Sequence, residues 1–126
     1  MNKNELISYL RRFCISSAYE SNSKLSDMNG SVLYGCGNNV KNGEVVENIL
    51  NLDKNIYLSL SRDFNLKSIH HSQLFVVFGE EATSLSFTIS IENRALILKI
   101  NVFLADKKEI KIEIIKENKT LKRIEL

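Results

Sequence analysis

The sequence predicts an α+β fold: a curved antiparallel β-meander of four to five C-terminal strands, packed on one face by an N-terminal helix and a second short helix. Three observations carry this. Apolar residues in the first twenty positions recur at helical spacing. From residue 74 onward they alternate at strand spacing. Short connections separate the alternating runs, which makes successive strands antiparallel neighbours. The 126 residues suffice for one domain, 1–126, and leave little room for two.

Residues 4–20 read as an amphipathic helix, with Leu6, Leu10, Phe13 and Cys14 on one face and Ile7 beside them. Asn2 or Asn4 can cap it, and Glu5 three places after Asn2 has capping-box spacing. Residues 21–43 hold Gly30, Gly35, Gly37 and Gly43 and the turn dipeptides Asn29-Gly30 and Asn42-Gly43. They are expected to be irregular, with at most a short strand over Val32–Tyr34 and a tight turn at Gly35-Cys36-Gly37. Residues 44–54 read as the second helix, with Val45, Val46, Ile49 and Leu50 on its face. Ile56, Leu58 and Leu60 then alternate, which is strand spacing. Residues 62–72 fit either a loop packed on the core or a short helical turn.

The meander follows. Leu74–Phe78 is a continuous apolar run ended by Gly79, consistent with a buried strand. Leu85, Phe87, Ile89 and Ile91 alternate with Ser84, Ser86, Thr88 and Ser90. Leu96 to Leu104 continue the alternation in a long strand over 95–105, expected to be central. Ile110, Ile112 and Ile114 follow, and Leu121–Leu126 is a short last strand. One face of the sheet is then apolar and the other is rich in Ser, Thr, Lys, Glu and Asn. The two helices are the amphipathic elements that can cover the apolar face.

The formal net charge is +2, from 17 basic and 15 acidic residues. That balance argues against a polyanion partner, since a nucleic-acid binder carries a basic patch sized to several phosphates. The polar face offers no stacking platform, because Phe75, Phe78 and Phe87 are assigned to apolar faces. No apolar run is long enough to span a bilayer and no signal peptide is visible. The chain is therefore expected to be cytoplasmic, with Cys14 and Cys36 reduced. Abundant Asn, Lys and Ile, all served by A/T-rich codons, suggest a bacterial or mobile gene.

No cofactor or metal is expected. His70 and His71 are the only histidines, and adjacent residues diverge on either a strand or a helix. They are the acid–base candidates if the chain is an enzyme. Cys36 could pair with either of them, but flanking glycines need no chemistry to explain them. Gly30, Gly35 and Gly37 lack the context of a phosphate loop. Glu80, Glu81 and Glu92 sit at strand ends, where solvated carboxylates are the rule.

The pattern that points to function is the flat row Ser84, Ser86, Thr88 and Ser90, together with open strand edges that can accept a partner strand. No catalytic constellation competes with it. The order of helix, short strand, helix and long meander resembles the cone-like cystatin-like and NTF2-like folds, an architecture that hosts enzymes and binding modules alike. The sequence is read as a small protein-binding module, an immunity or inhibitor protein that neutralises a partner toxin or enzyme by occluding its active site. Tyr34, Tyr57, Arg62, Ser86 and Thr88 are the partner-binding candidates, with charged residues of the last hairpin as the alternative anchors. The alternatives are a small-molecule-binding or enzymatic cone with a pocket between helices and sheet, and a homo-oligomeric phage or mobile-element protein pairing through edge strands.

Overall fold

The computed structural model describes residues 2–20, 24–26, 32–36, 40–64, 72–79, 84–93, 96–105 and 109–126. For residues 20, 24–26, 32–36, 40 and 41 it describes the backbone. The elements in order are α1 (Lys3–Glu20), β1 (Lys24–Ser26), β2 (Val32–Cys36), α2 (Val40–Leu50), α3 (Lys54–Ser61), β3 (Ser72–Phe78), β4 (Ser84–Asn93), β5 (Leu96–Ala105), β6 (Glu109–Lys116) and β7 (Lys119–Glu125). The strands form one antiparallel sheet in strict chain order, β1 to β7. The expected meander is β3–β7, and β5 is its middle strand.

Three parts of the N-terminal half differ from the sequence reading. Residues 54–61 are a helix, not a strand. Asp53 caps it, its carboxylate accepting the Asn55 and Ile56 N–H groups at 3.1 and 3.4 Å. Ile56, Leu60 and Phe64 share the buried side at helical spacing, and Leu58 is 59% exposed. The second helix starts at residue 40 because Asn42-Gly43 is not a turn. Asn42 is fully buried and its Nδ2 donates to Ser72 Oγ at 3.2 Å. Gly35 and Cys36 lie in β2, opposite Phe75 and Leu74, instead of in a tight turn.

The core lies between the helices and one face of the sheet. Rows of apolar residues run across that inner face. Val76, Phe87, Val102 and Ile112 form one, and Leu74, Ile89, Ile100 and Ile114 the next. From the helices come Leu6, Leu10, Phe13, Val46, Ile49 and Leu60. Phe13 meets Phe87 edge-to-face, with centroids 5.7 Å apart. Asn2 caps α1 as expected, its Oδ1 accepting the Glu5 N–H at 2.8 Å and its Nδ2 donating to Glu5 Oε1 at 3.0 Å.

Polar contacts fix the helices at their rims. Asn48 Nδ2 donates to the Tyr9 hydroxyl at 2.9 Å, and the Tyr57 hydroxyl donates to Glu47 Oε1 at 3.1 Å. Two ion pairs tie the α3 segment to the sheet. Asp53 faces Lys122 at 3.5 Å, and Asp63 binds Lys116. No described helix is long and apolar enough to cross a membrane.

Candidate functional site: the outer face of the sheet

Strand alternation sends every second residue of β3–β7 away from the helices. Cross-strand register places Phe75, Thr88, Asn101, Glu113 and Arg123 side by side in one row on that outer face. The next row is Val77, Ser86, Phe103, Lys111 and Glu125.

A chain of hydrogen bonds links four strands through the first row. The Thr88 hydroxyl donates to Asn101 Oδ1 at 2.9 Å. Asn101 Nδ2 donates to Glu113 Oε1 at 3.4 Å. Arg123 Nε donates to Glu113 Oε2 at 3.2 Å. Each short side chain thus has its polar atoms aimed by a neighbour, so the row is more rigid than independent solvated side chains would be. In the second row Lys111 stands directly opposite Glu125. Opposite charges therefore face each other across β6 and β7 twice, which leaves this part of the face locally balanced.

Two shallow concavities lie on this face. One, of about 480 Å³, is floored by Ser86, Thr88, Asn101 and Phe103 and walled by Lys111 and Arg123. The other, of about 460 Å³, is lined by Gln73, Phe75, Ser90, Glu92, Ile97 and Lys99. Three large apolar side chains stand half-exposed in them: Phe103 (41%) in the first, Phe75 (41%) and Ile97 (42%) in the second. The sequence reading placed Phe75 on an apolar face and found no exposed ring on the polar one. The structure corrects both points. β3 alternates like its neighbours, burying Ser72, Leu74 and Val76 and turning Gln73 and Phe75 outward. A continuous apolar run therefore marked a strand with one covered face and an apolar outer patch.

Ser86 and Thr88 lie where their alternation placed them, half-buried in the first concavity. Tyr57 lies on the other side of the sheet, packed against the core and bonded to Glu47. Burial and that hydrogen bond raise its phenol pKa above 10.0, the bond to Glu47 being the larger cause. Arg62 is the exposed C-cap of α3, also on the helix side. The backbone of Tyr34 is in β2 opposite Val76. The predicted binding residues Tyr57 and Arg62 thus do not share a surface with Ser86 and Thr88. His70, His71, Glu80 and Glu81 lie outside the described residues.

Sequence reasoning missed Phe103, Ile97 and Asn101, and reached Glu113 and Arg123 only as unspecified charged residues of the last hairpin. The signal for the first two is a phase break: in β5 the even positions carry the core, and Ile97 and Phe103 are large apolar residues at odd ones. Among the described residues, no group of three or more His, Cys, Asp or Glu is placed to hold a metal ion. No protein-family model matches the chain, and neither a curated protein nor a solved structure matches it.

Proposed function

We propose that the chain is a cytoplasmic protein-binding module of the immunity or inhibitor kind, which binds a toxin or enzyme and occludes its active site with the outer face of its sheet. The observation that supports this reading is the union, on one face that no described element covers, of a hydrogen-bonded row from Thr88 to Arg123 with the half-exposed anchors Phe75, Ile97 and Phe103. Aromatic anchors beside fixed polar groups are the usual make-up of a protein-binding hot spot. The opposed charges of β6 and β7 suit recognition by shape and hydrogen bonding more than by net charge. They do not suit a partner with a strongly basic groove, which an acidic inhibitor would fit better.

The cone alternative needs space between helices and sheet. There Leu10, Phe13, Ile49, Leu60 and Phe87 pack at 7% exposure or less, and the two concavities described above lie on the far side. The test is capture from the source cell at physiological salt with the wild-type chain and with Phe103→Arg, which fills the first concavity with charge. The expected result is one stoichiometric protein held by the wild type and lost by the variant, whose own activity the wild-type chain titrates to a 1:1 end point. No partner, or a partner held equally by both, would overturn the reading.

A further inference from the structure

The β7 edge carries a pattern of its own. β7 is last in the sheet order, and Lys119–Arg123 are exposed. Its hydrogen-bond phase is set by Ile110 and Leu126, which exchange both backbone bonds at 3.2 and 2.9 Å. In an antiparallel ladder such exchanging pairs alternate with pairs that exchange none. Ile124 therefore bonds inward to β6, and the N–H and C=O groups of Arg123 and Glu125 point outward, away from the sheet. An outward row of backbone groups is a template for another strand.

Charge selects which strand. A second copy of β7 pairing about a two-fold axis must place outward residues opposite outward residues, so the axis passes through a residue. Centred on Leu121, it would need Lys119 turned outward opposite Arg123, but β7 shifts register against β6 between Ile114 and Ile115, so Lys119, the partner of Lys116, is out of phase with Arg123. Centred on Lys122 or on Arg123, it sets that residue against its own like-charged counterpart. Centred on Ile124, it sets Arg123 of each copy against Glu125 of the other, on the outer face. Ile124 then meets Ile124 of the second copy on the helix side, where it is already partly packed on the core. Lys122 meets Leu126, its charge answered within its own chain by Asp53. Of the four registers, the one centred on Ile124 pairs opposite charges with no like pair.

We infer that a second copy of this chain adds to the β7 edge in the register centred on Ile124, each Arg123–Glu125 pair exchanging both backbone hydrogen bonds and an ion pair. The two sheets become one, and the two outer-face grooves, each walled by Arg123 and Glu125, meet at the axis. This does not depend on the binding function proposed above. A junction of so few residues covers less surface than an obligate dimer needs, so the dimer dissociates on dilution.

Sedimentation velocity from about 10 µM to about 1 mM, a range suited to an interface of this size, tests it. The wild type should shift with concentration from the 14.4 kDa chain to twice that mass. R123E and E125R should each weaken association at least about tenfold, and the quadruple variant K111E/E113R/R123E/E125R, which exchanges signs within each chain as well as between chains, should restore it to within about threefold. E125P, which removes an outward N–H and leaves the β6 ladder intact, should be monomeric with an unchanged circular-dichroism spectrum. A wild type that stays monomeric across the range overturns the inference. So does a dimer that survives E125P, or that the quadruple variant fails to restore.

Discussion

The two faces of β4 and β5 use the same strands in the same register for opposite ends. On the inner face every second residue from Leu85 to Ile91 and from Leu98 to Leu104 is a large apolar side chain at 4% exposure or less, among them Phe87, Ile89, Ile100 and Val102. On the outer face Ser86, Thr88 and Asn101 are held by hydrogen bonds or line a groove, and Phe103 stands 41% exposed among them. The comparison separates two tasks that an aromatic residue can have. Phe87 fills volume against Phe13, and its loss leaves a cavity. Among the described residues no layer covers Phe103, and part of its apolar surface faces outward.

The largest expected effect follows from that contrast. Phe87→Ala should destabilise the protein by about 3–5 kcal/mol, because it removes a buried ring and an edge-to-face contact from a close-packed layer. Phe103→Ala should cost about 0.5–1 kcal/mol, because part of that ring already faces water. Urea unfolding followed by circular dichroism measures both. Equal losses would mean that the outer face contributes to the core, and the comparison would fail.

A second contrast lies within α3. Asp53 caps the helix through two N–H groups and also faces Lys122 on β7. Asp53→Ala should cost about 1 kcal/mol, most of it from the lost cap. Lys122→Ala should cost a few tenths, since its side chain is 46% exposed and solvent-screened pairs contribute little. A lysine variant as damaging as the cap variant would show that the ion pair, not the cap, holds α3 against the sheet edge.

How legible these regions were in the sequence follows from how many signals agreed. In β4–β6 alternation, turn residues and β-branched content all pointed one way, and the strands are where they were expected. Around residue 56 two periods overlapped. Ile56, Leu58 and Leu60 satisfy a strand, and Ile56, Leu60 and Phe64 satisfy a helix. The cap at Asp53 decides between them. Asn42-Gly43 misled because the turn preference of that dipeptide is local, while a buried bond from Asn42 to Ser72, thirty residues away, holds it in a helix. The candidate site was half legible. Ser86 and Thr88 follow from alternation, but their neighbours Asn101, Glu113 and Arg123 depend on register across three hairpins, which one strand's sequence does not contain.

Alkaline pH should act through two tyrosines on the helix side. Tyr9 has its pKa raised above 10.0, mainly by burial, with a further push from Glu44 and opposition from the Asn48 hydrogen bond. Tyr57 is raised chiefly by its bond to Glu47. For both, the fold favours the neutral phenol. Their contribution is therefore complete below pH 10 and is lost as pH rises through the higher folded values. Stability should fall above about pH 10, and the double variant Tyr9→Phe/Tyr57→Phe should fall less steeply. Identical slopes would place the alkaline loss elsewhere.

The smallest expected effect lies at the β6–β7 turn, which together with the register shift between Ile114 and Ile115 sets the pairing of both outer-face charge pairs. Glu117 and Asn118 carry positive φ angles of 51° and 63°, as a two-residue hairpin of this hand requires. Asparagine tolerates that conformation and glutamate does so poorly. Glu117 is held there by β5: its carboxylate accepts the Ile97 N–H at 2.7 Å, and its own N–H donates to the Ile97 carbonyl at 3.1 Å. Asn118→Gly should therefore stabilise by a few tenths of a kcal/mol. Glu117→Gly relieves about 1 kcal/mol of backbone strain and forfeits a charge-assisted bond of about the same size, so its net effect should be near zero. A gain of about 1 kcal/mol on Glu117→Gly would mean that the carboxylate contributes nothing at Ile97. A loss of that size would mean that this glutamate, more than the turn's own geometry, sets where β7 begins and so how Arg123 meets Glu113.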